Sequence, residues 1–103
     1  CVSVKGRPVI GVIHKPFENE TFWMWIDHGK SNQLSENVKK PVRKTVLVSM
    51  SHTGDASVKA KELFGSNTTI IKAAGAGYKI LEVAAGNSTA YVHSTLIKKW
   101  DIC

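Results

Sequence analysis

Five segments from Thr45 onward alternate between strand-like and helix-like patterns, and this alternation constrains the fold more than any other feature. The strand-like segments are the apolar, β-branched runs Thr45–Met50, Thr68–Ile71 and Thr89–His93. Between them, Asp55–Phe64 and Tyr78–Ala85 have helical spacing and are each followed by a glycine that can end a helix. A β-α-β-α-β order predicts an α/β fold whose sheet contains parallel or mixed strands.

The first 44 residues have a different organisation. Val2–Lys5 and Val9–His14 flank a Gly-Arg-Pro turn and predict a hairpin. Thr21–Asp27 predicts a third strand, which is apolar on both faces and so expected to be covered on both. His28–Lys44 is polar and has few apolar anchors, so we interpret it as a connector. The sequence therefore divides into two units, residues 1–44 and residues 45–103.

Two loops of the second unit have a composition suited to ligand binding. The segment from Ser49 to Gly54 offers three hydroxyls and the imidazole of His52, and Gly75-Ala76-Gly77-Tyr78-Lys79 joins a strand to a helix. Parallel strands would bring both loops to one edge of the sheet, where α/β proteins bind ligands. Glycine allows a close approach of the backbone, and the free N–H groups of a helix start attract an anion. A capping or surface role for His52, and a purely structural glycine loop, remain open.

The charge balance favours an anionic ligand. Fourteen Lys and Arg against eight Asp and Glu give a formal net charge of +6. Lys79 adds a positive charge in the first turn of the predicted helix, where the helix dipole disfavours a cation. A bound phosphate would explain a lysine at that position.

Asp101 is the third candidate and follows the last predicted strand. It could cap a helix, or it could bind Mg²⁺. A single carboxylate does not hold Mg²⁺, and the other acidic residues form no cluster with it in the sequence. A complete metal site would therefore need residues that this chain lacks.

Three segments together resemble the magnesium-dependent, lithium-sensitive phosphatases of the inositol monophosphatase superfamily. They are Val48-Ser49-Met50-Ser51-His52, Gly75-Ala76-Gly77-Tyr78-Lys79 and Lys98-Lys99-Trp100-Asp101. Within the superfamily, the similarity is greatest to the 3′-nucleotidases that act on adenosine 3′,5′-bisphosphate. The run Gly11-Val12-Ile13-His14-Lys15-Pro16-Phe17 and the ending Lys98–Cys103 resemble the Golgi-resident branch. The resemblance covers essentially the whole chain.

The resemblance implies the layered α-β-α-β-α sandwich of these phosphatases and assigns roles residue by residue. Ser49, His52, Gly75, Gly77 and Lys79 would bind the substrate, and Asp101 would be a metal ligand for Mg²⁺. Residues 1–44 would be the last strands of a metal-binding unit with its connector, and residues 45–103 a truncated substrate-binding unit. The implied reaction is metal-assisted hydrolysis of the 3′-phosphate, which gives AMP and phosphate.

The same resemblance predicts that this chain is one part of an enzyme. The chain has no initiator Met and starts inside an apolar-alternating run, so we expect an internal fragment. The family's glutamate and Asp-Pro-x-Asp-x-Thr motif are missing from it, and we therefore assign no catalytic residue within this chain. The fragment alone is expected not to turn over substrate.

Three N-glycosylation sequons favour a Golgi or other secretory lumen over the cytoplasm: Asn19-Glu20-Thr21, Asn67-Thr68-Thr69 and Asn87-Ser88-Thr89. The expected partner is a small nucleotide bisphosphate rather than a nucleic acid. A membrane anchor upstream of this chain and a homodimer are both compatible with the resemblance.

Two other functions remain open at this stage. The first is an inositol phosphate phosphatase of the same fold. The second is a non-catalytic basic module that binds RNA or another anionic surface, which would need a contiguous basic face with aromatic platforms. The lysines here are dispersed and the tryptophans lie in core-like strand patterns, which favours the phosphatases.

Overall fold

A computed structural model describes residues 1–34, 43–51 and 54–102 of the chain. Within residues 1–34, four strands form an antiparallel sheet in the order β1-β2-β3-β4. Their bounds are Val2–Val4, Arg7–Lys15, Glu20–Trp25 and Gly29–Lys30. The predicted hairpin is confirmed, and the short strand β4 lies in the segment interpreted as connector.

The second sheet has three parallel strands in the order β6-β5-β7. The strands are β5 (Thr45–Ser49), β6 (Thr69–Ala73) and β7 (Ala90–Val92), and the intervening helices are α1 (Ala56–Phe64) and α2 (Ala76–Ala84). The predicted β-α-β-α-β order is confirmed, with element bounds that differ by one or two residues. A mixed α/β fold is thus observed, as expected for a part of the predicted sandwich.

The core forms around the central strand β5, because that strand has a neighbour on each side and a helix against it. Val46 and Val48 of β5 and Ala56 and Ala60 of α1 are completely buried, and the two elements contact each other. Helix α2 contributes Leu81 to the core and also contacts strand β2 of the first sheet. The position of α2 therefore depends on both sheets.

The segment after β7 forms a single 3₁₀ turn at Lys99–Asp101. One expectation from the sequence, cover on both faces of the third strand, is not met in the described residues. Strand β3 buries Phe22 on one face only, whereas Trp23 and Trp25 on the other face are exposed. No described element buries Trp23 or Trp25 on that face of the first sheet. Neither described helix is long and apolar enough to cross a membrane.

Candidate functional site

The carboxyl ends of the three parallel strands bring the two predicted loops together. Ser49 ends β5 and pairs in register with Ala73, the last residue of β6, and the Met50 amide donates to the Ala73 carbonyl at 3.2 Å. Ser49 is buried beside the glycine loop that follows Ala73. The expected convergence of the two loops at one sheet edge is therefore observed.

Gly75 sets the direction of the chain between β6 and α2. Its φ of +75° lies in the left-handed region, which residues with a Cβ rarely adopt. This conformation lets α2 begin at Ala76. The first N–H groups of α2 have no partner within the helix, so they are the groups to which the predicted anion site would correspond.

The Lys79 side chain turns back into the protein and does not extend into solvent. It is only 2% exposed, and its Nζ donates to the carbonyls of Ala73 and Gly75, both at 3.0 Å. Burial lowers the pKa of Lys79, and the nearby carboxylate of Asp101 partly offsets that effect. The positive charge thus lies directly behind the glycine loop, held by two of its carbonyls.

Asp101 lies in the 3₁₀ turn after β7, near enough to Lys79 for its charge to affect that ammonium. Its Oδ2 accepts a hydrogen bond from the Lys98 amide at 3.2 Å, which stabilises the 3₁₀ turn. Asp101 and Gly77 line a common cleft of about 780 Å³ between the first sheet, the start of α2 and the 3₁₀ turn. The cleft brings the predicted metal ligand to the predicted substrate loop.

The residues that the structure describes contain no cluster of three or more His, Cys, Asp or Glu side chains that could hold a metal ion. Asp101 uses one carboxylate oxygen in its turn and is half-buried at the cleft. A carboxylate is a ligand type that Mg²⁺ prefers, so Asp101 fits as one ligand and requires others from elsewhere.

His52 and Thr53 lie outside the described residues, so the predicted role of His52 stays a prediction. The residues after them approach the segment that follows β7. A Cβ at Gly54 would lie 2.9 Å from Ser94 Oγ and 3.0 Å from Thr95 Cγ2, and the positive φ of Gly54 also disfavours a side chain. Asp55 adds a hydrogen bond with the Ser94 side chain. The loop after β5 and the segment after β7 are therefore neighbours.

Tyr91 and His93, which were not predicted as site residues, belong to the same sheet edge. The Tyr91 ring lies 4.9 Å from Lys79 Nζ, and its hydroxyl is 2.9 Å from His93 Nδ1. Burial, and secondarily the charge of Asp101, raises the pKa of Tyr91. Their position at the carboxyl end of a parallel strand is the sequence signal that could have found them.

Comparison with known proteins extends over the whole chain. The sequence profile of the inositol monophosphatase family matches residues 1–103. A Drosophila melanogaster relative, whose name contains inositol monophosphatase 3, is 48% identical over 110 residues, which are 100% of this chain and 30% of the relative. Inositol monophosphatase 3 of Xenopus laevis is 47% identical over 111 residues, covering 100% of this chain and 31% of that protein.

A differently named relative is similarly close. Golgi-resident adenosine 3′,5′-bisphosphate 3′-phosphatase of Bos taurus is 45% identical over 111 residues, covering 100% of this chain and 30% of that protein. No solved structure matches the chain significantly. The chain spans about a third of the length of these relatives. Because the family profile matches every residue of it, the chain belongs to the inositol monophosphatase family.

Proposed function

We propose that this chain is the substrate-binding part of a Mg²⁺-dependent phosphomonoester hydrolase that removes the 3′-phosphate of adenosine 3′,5′-bisphosphate. The observation that carries the proposal is the shared cleft of Gly77 and Asp101, which joins an anion-ready helix start to a carboxylate. The name of the Bos taurus relative supports the nucleotide substrate. In this proposal, residues 1–44 belong to the metal-binding unit and residues 45–103 to the substrate-binding unit.

The residues divide the work between binding and positioning. The N–H groups at the start of α2 hold a phosphoryl group, and the buried charge of Lys79 adds attraction from behind the loop. Ser49 and His52 complete the contacts at the end of β5. Asp101 provides one metal ligand, and Mg²⁺, when bound, would polarise the phosphoryl oxygens and lower the pKa of the attacking water.

The reaction is a hydrolysis and needs no further co-reactant. The oxygen of water forms a bond to the 3′-phosphorus as the bond between that phosphorus and the ribose 3′-oxygen breaks. The water gives up a proton, and the ribose 3′-oxygen takes one up. The products are AMP and phosphate. The residues that would complete the metal site and activate the water are not among those described here, so the activity is a property of the longer protein.

The names of the Xenopus and Drosophila relatives favour a second candidate, an inositol phosphate phosphatase that uses the same site. The test is phosphate release by the full-length protein from adenosine 3′,5′-bisphosphate and from inositol 1-phosphate, with and without Mg²⁺. Asp101→Asn should reduce release about a hundredfold or more, because it removes a proposed metal ligand. Asp27→Asn, which changes an exposed turn residue in the same way, is the matched control and should retain activity.

The proposal is supported if phosphate release from the nucleotide depends on Mg²⁺ and Asp101→Asn abolishes it. Release from the inositol ester alone would overturn the substrate and favour the second candidate. Release that does not depend on Mg²⁺, or that Asp101→Asn leaves unchanged, would overturn the role of Asp101.

We also propose that the protein is located in the Golgi or another secretory lumen, which the name of the Bos taurus relative supports. The acceptor residues Asn19, Asn67 and Asn87 are all exposed, so each is accessible to glycosylation. Treatment of the cell-derived protein with an N-glycosidase should increase its electrophoretic mobility. Unchanged mobility would remove this support for a luminal location.

A further inference from the structure

Tyr91 and His93 form a connected pair behind the substrate loop, and the function proposed above gives them no role. The Tyr91 hydroxyl lies 2.9 Å from His93 Nδ1, and the two rings meet edge to face at 5.9 Å between centroids. His93 Nε2 lies 3.2 Å from the Leu96 carbonyl and 3.2 Å from Thr95 Oγ1. Both ring nitrogens of His93 therefore have partners in the chain.

These partners fix the direction of the hydrogen bonds. A carbonyl oxygen can only accept, so His93 Nε2 carries the proton that the Leu96 carbonyl receives. In the neutral ring Nδ1 then has no proton, and the Tyr91 hydroxyl donates to it. The imidazole thus holds the Tyr91 ring in one orientation, and the backbone after β7 holds the imidazole.

The face of the Tyr91 ring covers the ammonium of Lys79. Nζ lies 4.9 Å from the ring centroid, within the range of a cation–π interaction, and the group is shielded from water. Two of the three ammonium protons have carbonyl acceptors at Ala73 and Gly75. The aromatic ring supplies a further electrostatic partner, besides the nearby charge of Asp101, and a buried cation needs such partners.

The two carbonyls that Lys79 holds determine where the loop's N–H groups point. In a planar trans peptide the C=O and N–H bonds point in opposite directions. With the Ala73 and Gly75 carbonyls directed at Nζ, the N–H groups of Ala74 and Ala76 point away from it. The Ala73 carbonyl also accepts from the Met50 amide of β5, and the Gly75 carbonyl from the Lys79 amide, so the ammonium acts together with these backbone bonds to orient the donor groups of the proposed anion site.

We propose that Tyr91 and His93 are positioning residues that hold Lys79 against the glycine loop and so prearrange the loop's N–H groups for a phosphate ester. The phosphate ester rests on the function proposed above, whereas the positioning of Lys79 does not. Neither Tyr91 nor His93 would contact the reacting atoms. Their effect passes through Lys79 to the backbone of the loop.

The first experiment measures how readily Lys79 reacts and needs no catalytic activity. The full-length protein is labelled with an amine-reactive ester, and the labelling rate of Lys79 is followed by mass spectrometry. Tyr91→Leu should increase that rate about tenfold, because it removes the ring from a desolvated cation. Tyr91→Phe, which keeps the ring, and His93→Leu should each increase it about threefold.

His14→Leu is the matched control. His14 Nδ1 makes a comparable 2.9 Å hydrogen bond to a hydroxyl, that of Thr21, on the exposed first sheet. This variant should leave the labelling of Lys79 unchanged. Tyr91→Phe guards against a general loss of folding, because the ring that packs in the site remains.

The second experiment measures steady-state kinetics with adenosine 3′,5′-bisphosphate. Tyr91→Phe and His93→Leu should raise KM about threefold with kcat nearly unchanged, since ground state and transition state lose the same prearranged donors. Unchanged Lys79 labelling in both Tyr91→Leu and His93→Leu overturns the inference, even if KM rises, because Tyr91 or His93 would then act on the substrate directly. If the wild type releases no phosphate, the proposed function fails while the labelling result still decides the inference.

Discussion

At the scale of single residues, Ser49 and Gly75 lie at the carboxyl ends of neighbouring parallel strands, and Lys79 binds the carbonyl of Gly75. Ser49 and Gly75 could be placed at one sheet edge because strand order alone determines where parallel strands end. For Lys79 the sequence indicated a charge and no direction, and a phosphate was its only evident partner. The side chain instead binds two carbonyls of its own loop. Such bonds depend on how β6, α2 and β7 pack, which no local pattern encodes.

Asp55 gives a pH prediction at the same scale. Its carboxylate lies 2.9 Å from Lys59 Nζ, and hydrogen bonds from Lys59 and then from Ser94 hold its pKa below the usual value of an aspartate. A depressed carboxyl pKa stabilises the folded state at higher pH, and this stabilisation is lost as the pH falls through the folded-state pKa. We therefore expect Asp55→Asn to lower the free energy of unfolding at pH 5 more than at pH 2.5.

Denaturant unfolding of the full-length protein at the two pH values measures this difference. Glu62→Gln, on the same helix, controls for the loss of one carboxylate charge. An equal effect of Asp55→Asn at both pH values would contradict the role assigned to the Lys59 and Ser94 contacts.

At the scale of elements, the periodicity of apolar residues and the positions of the glycines predicted the order of strands and helices. They did not predict that α2 contacts both sheets. Helix α2 starts at the substrate loop and contacts strand β2. Lys15 on β2 makes that contact, with Nζ 3.7 Å from Glu82 Oε1 and 5.4 Å from the Tyr78 ring. In the sequence, Lys15 was noted only as a part of the run from Gly11 to Phe17. The contact links residues 67 positions apart, and such long-range pairs leave no spacing signal.

We expect the Lys15–Glu82 pair to stabilise the attachment of α2 to the first sheet. The two side chains are 22% and 16% exposed, so solvent screens the pair only in part. A double-mutant cycle with Lys15→Met and Glu82→Gln should give a coupling energy of about 0.5–1 kcal/mol. Lys72→Met, which removes a lysine at an exposed position of β6, should show no coupling with Glu82→Gln. A zero coupling energy for the Lys15 pair would mean that apolar contacts alone attach the helix.

At the scale of the whole molecule, the two sheets differ in how well they are covered. Strand β5 is buried by its neighbours and by α1, as its continuous apolar run predicted. The apolar alternation of β3 likewise predicted cover on both faces, yet the described residues cover only the face of Phe22. The outer face consists of Val2, Ile10, Val12, Trp23 and Trp25, and all of these except the half-buried Ile10 are exposed to solvent. A sequence records that a face is apolar and does not record what covers it.

The open outer face leads to a prediction for the 103-residue chain on its own. Val12 is 54% exposed and Trp25 45% exposed on this face, and a contiguous apolar surface of this kind favours association. Light scattering should therefore detect dimers or larger species that become more abundant with concentration. Val12→Lys introduces a charge into the face and should shift the population toward monomer.

Met24→Lys is the matched control and should leave association unchanged, because Met24 is 51% exposed on the opposite face of the same sheet. A wild-type chain that stays monomeric, or an equal effect of both substitutions, would mean that the outer face does not drive association.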